Sequence, residues 1–126
     1  MPSLPQPLPV VWFKRDLRLT DHKPLLEALE MGPVLPLYIL EPEEREGTHF
    51  HPRHGQFLKD SLSALDKSLK QRGSRLIVLQ GSAIECFERL RDQIQVFHIF
   101  SHEETGNERT YKRDRHVKKW CRRHRI

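Results

Sequence analysis

Two short polar stretches hold the side chains best suited to chemistry. KRDLRLTD (residues 14–21) sets Arg15 and Arg18 on either side of Asp16, and SHEETGN (101–107) places Glu103 and Glu104 after His102. Guanidinium groups grip an anion through paired, planar hydrogen bonds. Glutamates accept hydrogen bonds from a heterocycle or neutralise nearby arginines. A ligand crevice is one reading of this pattern. The other is structural: Asp16, the arginines and the glutamates satisfy one another as an ion-pair network against a neighbouring domain. The residue types alone leave both open.

Other groupings carry less. GTHFHPRHG (47–55) brings His49, His51 and His54 together, but no cysteine or carboxylate stands at a fitting distance, so the stretch reads as a plain loop. His102-Glu103 lacks the second histidine of a helical zinc motif. No Gly-x-Gly-x-x-Gly or phosphate loop is present, and no serine or cysteine has a plausible base nearby. Trp12 and Trp120 suit electron relay, though packing is the commoner role of tryptophan. Nothing here assembles a catalytic site.

The elements that must position these residues alternate along the chain. Pro9–Phe13 reads as a strand that runs straight into the charges of 14–18. A helix is predicted over Lys23–Met31, capped by Thr20 or Asp21, with Pro24 in its first turn and Leu25, Leu26 and Leu29 on one face. Gly32 ends it, and GPVLPLYIL (32–40) is the second strand, with Pro36 better suited to an edge or bulge. A long helix follows over Arg53–Arg72, striped by Phe57, Leu58, Leu62, Leu65 and Leu69 and stopped by Gly73. RLIVLQG (75–81) is the third strand. Ser82–Glu85 has capping-box spacing and opens a helix to Asp92; VFHIF (96–100) is the fourth strand; Thr105–Glu108 repeats the capping box and opens a last helix towards Arg123.

This β-α alternation predicts an α/β fold: a doubly wound, Rossmann-like parallel sheet of strand order 3-2-1-4, with helices on both faces and right-handed crossovers. The chain stops where a fifth strand is due. In such sheets ligands bind beyond the carboxyl ends of the strands, where strand order reverses. The loops after strands one and four, which carry the two polar stretches, should line that crevice.

The totals bound the function. At 126 residues, 37% hydrophobic and 31% charged, the chain is one soluble globular domain, small for a self-contained enzyme. No apolar run suits a membrane helix and MPSLPQPLP lacks the plan of a signal peptide, so a cytoplasmic setting is expected, with Cys86 and Cys121 reduced. The charge of +5 is uneven: Arg109–Arg125 holds nine Lys or Arg and one acid, Asp114. That run reads as a solvated helix end or as a patch for nucleic-acid phosphates.

The motifs themselves carry a resemblance. VVWFKRDLRLTDHKPLLEA resembles the opening of the photolyase and cryptochrome family, W-F-[RK]-x-D-L-R-L-x-D-[NH]-x-x-L. PLYILEP and GSRLIVLQGS are similar to that family's second and third strands, and SHEETGNERTYKRDRHVKKW to the segment leading to its Arg-Asp pair, here Arg113-Asp114. The resemblance covers residue 9 to about 121. It implies the amino-terminal α/β domain that holds a light-harvesting antenna: a folate, a deazaflavin or FMN. FAD and damaged DNA would belong to a helical carboxyl-terminal domain absent from these residues, so the chain is expected to be truncated and inactive alone. Its parent would be a light-driven DNA repair lyase or a blue-light receptor. The resemblance places chromophore contacts at Lys14, Arg15, Asp16 and Leu17, and at Leu40 and Glu41. Asn107 falls at a usually acidic position, or Glu103 or Glu104 takes that role across a gap. Asn107-Glu108-Arg109 spells a folate-contacting triplet two residues out of offset, which leaves the antenna's identity open. Binding should be weak, because part of the usual surface comes from the other domain.

The alternative is a stand-alone nucleotide-binding or interaction module without light function. DNA would be met only through the parent protein, although a basic helix that docks on DNA or a partner is a third reading. The open edge of the fourth strand predicts self-association.

Overall fold

The computed structural model describes residues 7–42, 52–94, 97–103 and 108–126, with 52–55 as backbone only. Four parallel strands form one sheet of order β3-β2-β1-β4: β1 (Leu8–Phe13), β2 (Leu35–Leu40), β3 (Ile77–Gln80) and β4 (Phe97–Phe100). Between and after them run α1 (Lys23–Leu29), α2 (Pro52–Gln71), α3 (Ala83–Gln93) and α4 (Glu108–His124). Val10–Phe13 is apolar throughout because both faces of β1 are covered. Val10 and Trp12 meet Phe87 and Leu90 of α3 and Val117 and Trp120 of α4. Val11 and Phe13 meet Leu25 and Ala28 of α1 and Leu65 and Leu69 of α2. The period of two along one strand thus builds both cores, and the doubly wound reading stands.

Pro36 lies in β2, an interior strand, and not at an edge. It comes one residue before the ladder to β3 begins at Leu37↔Ile77, so its missing N–H costs no rung on that side. Two apolar stripes are narrower than expected. Leu25 and Ala28 bury on α1 while Leu26 and Leu29 stay exposed; on α2 Phe57 is exposed. Leu58, Leu62, Leu65 and Leu69 follow alternating steps of four and three, and Phe57 stands about 100° off that row.

The helix ends are mostly as the residues dictate. Ser82 Oγ accepts from Glu85 N at 3.2 Å and opens α3. After α2, Gly73 at φ +79° lets Ser74 N reach Leu69 O and Gly73 N reach Lys70 O, the paired bonds of a Schellman end. The cap of α1 differs from expectation. Asp21 takes φ +50°, which an aspartate tolerates, and His22 becomes the last non-helical residue. Its Nδ1 accepts from Leu25 N at 3.1 Å, doing what a serine oxygen does elsewhere. Thr105 lies outside the described residues. No described helix is long and apolar enough to cross a membrane.

Candidate functional site

Because β1 and β4 are adjacent and parallel, the chain leaves both at the same rim of the sheet. The two polar stretches therefore meet. Lys14 Nζ donates to His102 O at 2.6 Å, and His102 Nδ1 lies 2.6 Å from Asp16 Oδ2.

Asp16 is the centre of this junction. Its Oδ1 accepts from Lys14 N at 2.8 Å, and its Oδ2 also faces His22 Nε2 at 2.7 Å. Burial alone would raise its pKa, but the Lys14 N–H, the His102 contact and the charge of His22 outweigh that and hold it below the ordinary carboxylate value. Burial pushes His22 the other way, below the ordinary histidine value, against the pull of Asp16. His22 is therefore neutral near pH 7. With Nδ1 accepting from the Leu25 amide, its proton must sit on Nε2, which stands 2.7 Å from the carboxylate without the alignment of a hydrogen bond.

Asp16, His22 and His102 bring three metal-type donor atoms within 4.8 Å of one another. A carboxylate and two imidazoles would suit zinc. The cap of α1 argues against it: a metal on His22 Nε2 would demand an imidazolate, since Nδ1 is already an acceptor. The cluster is a carboxylate held between two imidazoles.

Beside it runs a chain of alternating charge. Lys14 Nζ meets Asp114 Oδ2 at 3.0 Å; Arg113 holds Asp114 Oδ1 through Nε and Nη2 at 3.1 and 3.0 Å and reaches Glu41 through Nη1; Arg109 Nη1 stands 3.8 Å from Glu41 Oε2. The network joins the ends of β1 and β2 to α4. Lys14 and Arg113 also stand over the Trp12 ring, 4.3 and 4.9 Å from its centroid. Two cations at that range disfavour an oxidised indole, and Trp12 packs in the core. Trp120 donates through Nε1 to Glu88 on α3. Cys86 and Cys121 are free thiols, both pushed up by burial.

A cleft of about 440 Å³ opens between β4 and α4, with Glu103, Lys118 and Arg122 at its rim and Lys14, Trp12, Ile99 and Val117 along its floor. Of the residues expected to bind a ligand, Lys14, Asp16 and Glu41 are buried in the two networks, and Leu17 and Leu40 pack against the core. Arg15 and Glu103 are exposed at the rim. Glu103 does not balance Arg15 or Arg18 as expected. It pairs with Lys118 at 3.4 Å, because α4 runs beside it, while Arg18 clamps its own loop through Asp21 O at 3.1 and 3.3 Å. Glu104, Asn107, His49, His51 and the His54 side chain lie outside the described residues. The residues missed by pattern are His22 and His102, and the pairing of Asp114 with Lys14. No spacing marks them, since 86 residues separate Asp16 from His102.

A family model described as DNA photolyase matches residues 9–126. Over 108 residues the chain is 33% identical to cryptochrome DASH of Synechocystis sp., covering 81% of this chain and 22% of that protein. Over 104 residues it is 36% identical to deoxyribodipyrimidine photo-lyase of Thermus thermophilus, covering 79% and 24%. Among solved structures it is similar to an archaeal photolyase from Sulfolobus tokodaii, with a TM-score of 0.81, 29% identity, and coverage of 92% of this chain and 27% of that one. That structure is described as holding two FAD molecules and as implying a novel light-harvesting cofactor. The chain spans about a quarter of the length of these relatives.

Proposed function

This chain belongs to the DNA photolyase family, as an amino-terminal photolyase/cryptochrome domain, and we propose that it is a light-harvesting domain that holds an antenna chromophore at the β1–β4 rim. The observation that carries this is the convergence of two polar loops on a cleft of about 440 Å³, within the range of small-molecule sites. Its chemistry fits the group. Ile99, Cys121 and Ile126 offer apolar surface to a flat heterocycle, Glu103 accepts from ring N–H groups, and Lys118 and Arg122 at the mouth match a carboxylate or phosphate tail. A folate, a deazaflavin and FMN share that plan. Once bound, such a group supplies absorption in the near-ultraviolet or blue.

The chain's own residues hold the frame. Asp16 and His102 tie the two loops together, and Lys14, Asp114, Arg113 and Glu41 fix α4 as the cleft's wall. Lys14 also rests on Trp12 beneath the cleft. Light-driven repair or signalling through FAD would belong to a longer parent, as would the recognition of a damaged base.

Titration with folate, deazaflavin and FMN tests the reading, followed by absorption and by circular dichroism in the chromophore's band. One of the three should acquire an induced signal that Glu103→Lys weakens. If none binds while AMP or ATP does in calorimetry, the domain is a nucleotide module and the light-harvesting reading is wrong.

A further inference from the structure

The outer face of α4 is a large feature of which the chromophore reading uses only Lys118 and Arg122. Thr110, Asp114, Val117 and Trp120 turn the helix's inner side into the sheet, while Lys112, Arg115, Lys118, Lys119, Arg122 and Arg123 are all exposed. Glu108 meets Lys112 at 3.3 Å and Glu103 meets Lys118 at 3.4 Å. Among the described residues no acid pairs with Arg115, Lys119, Arg122 or Arg123.

Helix stability does not account for this pattern. The helix dipole favours cations only in the last turn, which covers Arg122 and Arg123 but not Arg115, Lys118 or Lys119. Moreover Arg115–Lys119, Lys118–Arg122 and Lys119–Arg123 are like charges four residues apart, an arrangement that opposes helix formation. A face that works against its own helix is explained by something that neutralises it.

We propose that this face docks on the phosphate backbone of double-stranded DNA without reading its sequence. It rests on Arg115, Lys119 and Arg123, which the chromophore reading does not use. A membrane surface fits poorly, because an interfacial helix needs a free apolar side, and that of α4 is spent on the core. An acidic protein fits poorly too, since protein interfaces centre on aromatic or apolar anchors. The aromatic side chain on this face, Tyr111, is 38% exposed and lies beneath Arg115. What remains is a row of exposed cations from Lys112 to Arg123, about 17 Å long at the α-helical rise, in which Arg115, Lys119, Arg122 and Arg123 have no acidic partner among the described residues. That length follows several phosphates, whose contacts with Lys and Arg position a protein and carry no sequence information.

The test is fluorescence anisotropy with a short, undamaged duplex in the dark, across a salt series. Binding should weaken with log[salt] at a slope of about −0.9 per phosphate, or about −3 to −5 for this face. Arg115→Gln/Lys119→Gln/Arg123→Gln should lower affinity about 10-fold or more and flatten the slope by about three, and Lys119→Gln alone by about one. Both variants keep helix-favouring residues at exposed positions, and a circular dichroism melt like that of the native protein confirms their folds. The control removes the same charge elsewhere: Lys23→Gln/Lys59→Gln/Lys67→Gln, on exposed positions of α1 and α2. It should leave the slope unchanged. Equal losses in both triple variants would mean that net charge alone is at work and would overturn the proposal. So would salt-independent binding, no binding, or capture by phosphatidylserine vesicles or polyglutamate but not by the duplex.

Discussion

Asp16 receives three contacts on two oxygens, from the Lys14 amide, His22 and His102, and through them it joins the loops after β1 and β4. Asp16→Asn would keep an acceptor for the amide but turn N–H groups towards the imidazoles, at a cost of about 2 kcal/mol in urea unfolding. The same cluster sets how stability responds to acid. His22 titrates lower in the folded state than its ordinary 6.5, so below that pH the unfolded chain binds the proton first and stability falls. Asp16 is also held low; its contribution is complete above its ordinary 3.8 and disappears as pH drops through the lowered folded value. Two acid stages should appear when unfolding free energy is followed downwards from neutral pH. His22→Asn keeps a good cap on α1 and should erase the first stage alone; an unchanged first stage in that variant would assign it to another group. None of this was legible beforehand. Asp16 stood out as a candidate, but a partner 86 residues away comes from the sheet, and His22 was hidden by stronger capping residues beside it.

At the scale of elements, α4 is fixed to the sheet as much by charge as by packing. Lys14 and Asp114 are both almost fully buried, their side chains each 4% exposed, and Arg113 shares the same carboxylate. Removing one partner strands the others, so Asp114→Ala should cost about 3 to 5 kcal/mol. Lys14→Met/Asp114→Leu removes both charges of the pair and should cost less than the sum of the singles, which a double-mutant cycle measures. Simple additivity would show that the pair is not coupled. The helices and strands were readable because their signals are local. Ser82 before α3 and Gly73 after α2 act through bonds three to five residues long. Gly73→Ala meets open space but a left-handed φ, and should lower stability by about 1 to 2 kcal/mol. Where local reading failed, as at Phe57 and Leu29, the apolar residues were recognised and only the width of the buried stripe was misjudged.

For the whole molecule, the strand order was readable from alternation and handedness, and with it the rim where the two polar loops meet. The open edge follows from the same topology: among the described residues β4 pairs only with β1, and its side chains Phe97–Phe100 include no Lys, Arg, Asp or Glu. An unguarded edge adds strands from other chains, although one of four residues adds few bonds. A net charge of +5 opposes the encounter of two copies, and salt screens that repulsion. Self-association should therefore strengthen as salt rises, while docking of α4 on a polyanion should weaken. The opposite responses separate the two surfaces in one preparation. Sedimentation velocity should show the average mass rising with concentration and with salt, and His98→Lys, which places a fixed charge on the edge, should hold the protein monomeric. A native chain that stays monomeric in high salt would mean that the cleft between β4 and α4 already guards the edge.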